Sequence, residues 1–231
     1  MYRTADTAHH IQHIIYSMPP ILVTVEGNIG VGKTTFLKRL EDEYGAKVIY
    51  EPVDEWLMYK DTRTGQSIFE MYYNNKTRWA FTFQIMALQT RFENLVKVCE
   101  TPIDQIIICE RSIFTDFNIF AKLMNQQGDM SDIELAIYKK CHSFMTDLCQ
   151  ITIKRYIYLQ ATPNTCLERV QKRNREGEEN IDIDFLNILH DYHESWLNNI
   201  EECKLIRVNT ESSIDYNAVM DEIKNCQYIR Y

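Results

Sequence analysis

The stretch ILVTVEGNIGVGKTT, residues 21–35, decides the fold. Its first half, Ile21–Glu26, is an almost unbroken apolar run rich in β-branched residues, the composition of a strand buried on both faces. Glycines at 27, 30 and 32 then interrupt it, and Lys33 opens a stretch with helical character. Strand, glycine turn and helix make the opening unit of a parallel α/β sheet. Outward from it the alternation continues: Lys47–Tyr50, Ile106–Cys109, Tyr156–Gln160 and Lys204–Val208 read as four further strands. Between them Ser67–Val98 carries Trp79, Phe83 and Met86 at helical spacing, and Ser112–Gln126, Ser131–Cys149, Pro163–Arg173, Asp182–Asn199 and Ile214–Asn225 read as further helices.

Composition narrows the classes. The 231 residues carry 25 Lys and Arg against 33 Asp and Glu, a net charge of −8, which disfavours a nucleic-acid partner because counterion displacement needs a basic field. Only 7 Gly and 5 Pro with 45% hydrophobic residues excludes collagen-like and disordered chains. No apolar run reaches the roughly 18 residues that a bilayer demands, so no membrane partner is expected. Residues 1–20 lack a signal-peptide core and a transit-peptide bias and read as a flexible tail before a single domain spanning 21–231. Cysteines 99, 109, 141, 149, 166, 203 and 226 form no C-x-x-C pair and read as reduced thiols of a cytoplasmic protein, with Cys109 and Cys166 buried.

Gly27–Thr34 satisfies G-x-x-x-x-G-K-[ST] in the required strand-to-helix context. The backbone N–H groups of Gly27, Asn28, Ile29, Gly30, Val31, Gly32, Lys33, Thr34 and Thr35 would curl around nucleotide phosphates, Lys33 would reach the β- and γ-oxygens, and Thr34 would be a ligand of Mg²⁺. ATP and Mg²⁺ are therefore the expected cofactors. The fold class that follows is α/β, a P-loop NTPase-type three-layer arrangement with a five-stranded parallel sheet flanked by helices. A guanine-reading N-K-x-D is missing from the sequence, since Asn75-Lys76 is followed by Thr77 and Arg78, which argues against a GTPase of that type. Polar residues cluster where strands two and three end, where open α/β sheets bind ligands. Glu51 there would orient an acceptor hydroxyl and take its proton, Glu110 would organise the metal with Thr34, and Arg111 would bridge Glu51 and the acceptor; a plain Glu110–Arg111 ion pair is the competing reading. Arg169, Arg173 and Arg175 would form a lid over the phosphates, against a solvated helix end among acidic neighbours. His190-x-x-His193-Glu194 is neither H-E-x-x-H nor its inverse, so no zinc site is read there.

Together, GNIGVGKTT, EPVDEW, RWAFTFQ (Arg78–Gln84), ERS with Asp116, and YLQATPNTCLERVQKRNRE continuing to LHDYHESWL resemble the deoxynucleoside kinase family from about Ile21 to Leu197. The resemblance implies transfer of a phosphoryl group from ATP to the 5′-hydroxyl of a deoxynucleoside, by an enzyme commonly dimeric. It implies Glu51 as general base with Arg111 beside it, Tyr73 and Glu178 on the 3′-hydroxyl, and a structural role for the stretch His190–Glu194. Gln84 would face the base edge, between walls formed by Trp56, Phe83 and Phe120. Arg91, Asp116 and Ala87 match members accepting deoxycytidine and purine deoxynucleosides rather than thymidine, while Tyr72 departs from the methionine that many members place in this pocket. The alternatives are a nucleoside monophosphate kinase, which Glu51 would disfavour by repelling an acceptor phosphate, and a non-catalytic kinase-like subunit.

Overall fold

A computed structural model of the chain describes residues 21–99, 105–149 and 152–225; the expected tail 1–20 lies outside them. Five strands form one parallel sheet in the order β2-β3-β1-β4-β5: β1 (Ile21–Glu26), β2 (Lys47–Ile49), β3 (Ile106–Glu110), β4 (Ile153–Gln160) and β5 (Leu205–Asn209). The β1 run is buried along nearly its whole length, with Val23 and Val25 sealed between helical layers. Each such side chain contributes roughly 1.5–3 kcal/mol on burial. Because β1 is central, with β3 on one side and β4 on the other, its carboxyl end opens at the point where the strand order reverses.

Helices α1 (Lys33–Tyr44), α2 (Val53–Met58), α3 (Ile68–Asn74) and α4 (Lys76–Cys99) follow β1 and β2. The expected continuous helix over Ser67–Val98 is two helices. Asn75 leaves helical geometry at φ −151°, and its side-chain oxygen accepts the Arg78 N–H at 3.1 Å, restarting the chain as α4. A capping box starts α3: Ser67 Oγ accepts from Glu70 N, and Glu70 accepts the Ser67 N–H at 2.7 Å. The six-residue α2 is absent from the sequence reading.

After β3 the chain continues as one helical column of three pieces, α5 (Ile113–Thr115), a π-helical turn (Asp116–Ala121) and α6 (Lys122–Gln126). Then come α7 (Asp132–Cys149), α8 (Pro163–Arg173), α9 (Ile183–Leu197) and α10 (Tyr216–Lys224). Thr162 caps α8 with Pro163 at its first position, as expected for that residue pair. β4 begins three residues before the expected Tyr156, since Ile153 is buried while Lys154 and Arg155 are half-exposed. Cys109 and Cys166 are buried, and among the described residues Cys109, Cys141, Cys166 and Cys203 are free thiols. Among those residues no helix is long and apolar enough to cross a membrane.

Candidate active site

At the carboxyl ends of β1, β2 and β3 lies a cavity of about 840 Å³, lined by the glycine loop, the start of α2, α3, α4, the π turn and the arginine-bearing end of α8. Its floor is the loop Gly27–Gly32. Gly27 sits at φ 138° with its α-carbon against β4, where a Cβ would lie 2.5 Å from the Leu159 carbonyl oxygen; only glycine permits this approach. Gly32, left-handed at φ 105°, turns the chain into α1 so that the helix amino terminus faces the cavity. Lys33 is buried inside the loop, its Nζ donating to the carbonyls of Gly27 at 3.2 Å and Asn28 at 2.9 Å. Thr34 Oγ1 donates to both oxygens of Glu110, at 2.9 and 3.1 Å.

Burial, reinforced by the nearby Arg111 guanidinium, lowers the Lys33 ammonium to about 7. An anionic nucleotide favours the charged form, so above pH 7 binding requires a proton to be taken up. ATP affinity is therefore highest at or below neutrality and falls between pH 7.5 and 9, by up to about tenfold per pH unit for one linked proton. Calorimetric titration in buffers of different ionisation enthalpy checks this; a binding heat independent of buffer at pH 8.5 would contradict it.

The acceptor side is a chain of charges. Glu51, leaving β2, accepts Arg91 Nη2 at 2.7 Å and lies 3.3 Å from Arg111 Nε. Arg91 Nε in turn binds both oxygens of Asp116, at 2.9 and 2.8 Å. Burial would raise the Glu51 carboxyl, yet Arg91, Arg111 and Lys33 together hold it down at about 2. Asp116, by contrast, is pushed up to about 6 by burial and by repulsion from the Glu51 carboxylate, which outweigh the pull of Arg91. Glu51 is therefore a carboxylate throughout the physiological range, a hydrogen-bond acceptor aimed into the cavity.

Aromatic rings form the deep end. Phe83 stacks on Tyr72 with centroids 4.5 Å apart and meets Trp56 edge-on at 5.2 Å. Trp56 is fixed through its Nε1, which donates to Thr90 Oγ1 at 3.0 Å. Tyr72 is buried, its hydroxyl 3.3 Å from Met124 Sδ, and Tyr73 packs edge-on against Phe69 at 5.0 Å. Phe120 lies under the Arg111 guanidinium, 5.0 Å from ring centroid to charge, and Ala87 leaves room beside Gln84. Gln84 Oε1 and Arg91 Nη1 are buried in this wall without a hydrogen-bond partner among the described residues, one acceptor and one donor two turns apart on the same face of α4. Such groups are costly to leave unmet and are suited to a planar polar ligand.

Arg173 and Arg175 both pair with Glu178, the latter at 3.3 Å, and all three face the cavity. Arg169 also lines it, but its guanidinium is committed: it donates to the Val31 carbonyl at 2.9 Å and to the Thr210 hydroxyl and carbonyl at 3.0 and 2.8 Å, clamping the glycine loop to the end of β5. Every residue assigned to the site from sequence lines the cavity except Gly27 and Asn28, whose carbonyls hold Lys33 beneath it. Sequence reasoning missed Phe69, one helical turn before Tyr73 on α3, together with Thr210 and Tyr216 near the loop. It also missed Glu26, buried beneath the floor, where it accepts the hydroxyls of Thr24 at 2.6 Å and Thr115 at 2.7 Å and so ties the carboxyl end of β1 to α5. The i, i+4 spacing of Phe69 and Tyr73 was the available signal for the first.

A sequence model of the family described as deoxynucleoside kinase matches residues 23–227. The chain belongs to the deoxynucleoside kinase family. Its relatives include a probable deoxycytidine kinase of fowlpox virus, 37% identical over 185 residues covering 79% of this chain and 75% of the viral one. Deoxycytidine kinase 2 of Gallus gallus is 34% identical over 237 residues, covering 88% and 89% of the two chains. The mitochondrial deoxyguanosine kinase of Xenopus laevis is 31% identical over 229 residues, covering 88% and 86%. As a deoxynucleoside kinase the chain is an ATP-using phosphotransferase that acts on the 5′-hydroxyl of a deoxynucleoside. The monophosphate kinase alternative is not favoured: a 5′-phosphate on the acceptor would meet the Glu51 carboxylate.

Proposed function

We propose that this deoxynucleoside kinase works with Glu51 as the group that orients the 5′-hydroxyl and receives its proton, and prefers deoxycytidine and purine deoxynucleosides over thymidine. The carrying observation is the Glu51–Arg91–Asp116 chain, which presents a carboxylate and an unpartnered guanidinium donor to the same cavity as the unpartnered Gln84 acceptor. An alcohol is far too weak an acid to lose its proton first, so Glu51 takes it late, after the loose transition state has drawn charge from the oxygen. Arg111 neutralises charge between acceptor and phosphoryl group. Lys33, Arg173 and Arg175 meet the phosphate oxygens, Arg169 holds the loop in shape, and Tyr73 with Glu178 holds the 3′-hydroxyl. The hydroxyl and carboxylate of Thr34 and Glu110 are a hard-oxygen pair that fits Mg²⁺. Bound there with ATP, the ion would neutralise charge on the phosphates.

A coupled ADP-release assay with Mg-ATP against deoxycytidine, deoxyadenosine, deoxyguanosine, thymidine and their monophosphates tests this. Turnover highest with deoxycytidine or a purine deoxynucleoside is expected. Thymidine as the best substrate would overturn the preference, and turnover confined to monophosphates would overturn the acceptor assignment.

The reading includes a single domain over 21–231, a cytoplasmic setting that suits the free thiols, and a homodimer. Support for the dimer is an apolar stripe on α7, where Ile133, Ile137 and Phe144 are 67%, 45% and 67% exposed on one helical face. Sedimentation velocity is expected to find a dimer that Ile137→Glu converts to monomer; a monomeric unaltered chain would refute it.

A further inference from the structure

Arg111 sits in the left-handed region at φ 62°, rare for a side chain of this size, and its own N–H donates to the Val25 carbonyl at 3.0 Å. The backbone is thus pinned while the guanidinium is not. Its Nε lies 3.3 Å from Glu51 as an ion pair but makes no hydrogen bond, and it rests on Phe120. The one hydrogen bond that the guanidinium makes among the described residues is from Nη1 to Nε2 of His193, at 3.4 Å. His193, on α9, is completely buried. Its Nδ1 lies 2.6 Å from the Leu189 carbonyl, which can only accept, so Nδ1 carries the hydrogen. Nε2 faces a guanidinium, which can only donate, so Nε2 must offer its lone pair. Both bonds together require the neutral ring in this one tautomer. The ring is also held parallel, within 4°, to Tyr158, whose hydroxyl is anchored on Glu194 at 2.7 Å. In agreement, burial and then the Arg111 charge drive the imidazolium form well below its usual range.

We infer that His193 is a positioning residue for phosphoryl transfer, a neutral acceptor that aims the Arg111 guanidinium at Glu51 and the acceptor hydroxyl. The role rests on the deoxynucleoside kinase reading and adds to it a residue from outside the cavity wall. Two amide replacements separate it from packing. In His193→Gln the side-chain oxygen reaches the place of Nε2 and can accept from Arg111 while the Leu189 bond is lost. In His193→Asn the amide reaches only the place of Nδ1, keeping the Leu189 bond and losing Arg111. Steady-state kinetics with the best deoxynucleoside, alongside thermal unfolding of both variants, gives the answer. His193→Asn is expected to lower kcat by about 10–100-fold, the scale of an ångström-sized misplacement, with KM for ATP unchanged, whereas His193→Gln stays within a few-fold of the unaltered enzyme. In an Arg111→Lys background the Asn substitution is expected to add little, since the contact is already gone. Equal kcat in all three proteins, losses in both variants that track their melting temperatures, or a slower Gln than Asn variant would overturn the inference. Absence of turnover in the unaltered enzyme would instead overturn the kinase reading itself.

Discussion

Glu51→Gln is expected to lower kcat by about 10²–10⁴, the range for loss of a general base, while ATP affinity stays near that of the unaltered enzyme. Glutamine preserves the shape between Arg91 and Arg111 and can still accept from Arg91, but it cannot take a proton from the 5′-hydroxyl. The held-down carboxyl also fixes the pH behaviour. A group at about 2 is fully ionised from pH 4 upward, so no acid limb of the rate profile above pH 4 belongs to Glu51. Glu51→Ala is the wrong probe for chemistry, because it leaves the buried Arg111 guanidinium without its anion and Arg91 with Asp116 alone, at a cost of about 3–5 kcal/mol in stability. Single-turnover rates at saturating ATP, with calorimetric ATP affinity, check the prediction; an unchanged rate removes Glu51 from the proton-transfer role.

Lys33→Ala is expected to reduce kcat/KM for ATP by about 10²–10³ and, unlike the Glu51 variant, to weaken ATP binding as well as the rate. In the proposed role the lysine meets phosphate in both ground and transition states, so its loss would be felt in both. A second consequence is local: the carbonyls of Gly27 and Asn28 lose the donor that draws the loop closed. Initial-rate kinetics over a range of ATP concentrations decide it, and an unchanged KM for ATP would show that the phosphates sit elsewhere.

The sequence was most legible where one physical demand dominates. β1 is flanked by helices on both sides and needs apolar residues throughout, so its carboxyl end is visible as the switch from Ile21–Glu26 to glycine. The phosphate loop is legible for the same reason, since Gly27 has no alternative against the Leu159 carbonyl. Short elements escaped: α2, Val53–Met58, is under two turns, too brief to express a helical period, and only its inward Trp56 betrays it. The break at Asn75 depends on a single side-chain cap, which competes poorly with an apolar stripe running through it. His193 was read as structural because its chemistry lies in a contact with Arg111 across 82 positions, and no local spacing encodes that distance.

The wide turn at Asp116–Ala121 carries a consequence for how this enzyme can change. Asp116 closes the charge chain with Arg91 and Phe120 supports Arg111, while α6 below supplies the scaffold with Leu123 and Met124. In an uninterrupted α-helix each residue advances the screw by about 100°, so the ligand-facing and the scaffold-facing residues would share one angular phase. The looser turn absorbs an offset between the two. It works as a splice in a rod, letting selection re-aim the specificity residues above without re-registering the core below. Insertions and deletions among relatives with different base preferences should therefore be tolerated at this joint more readily than within α6.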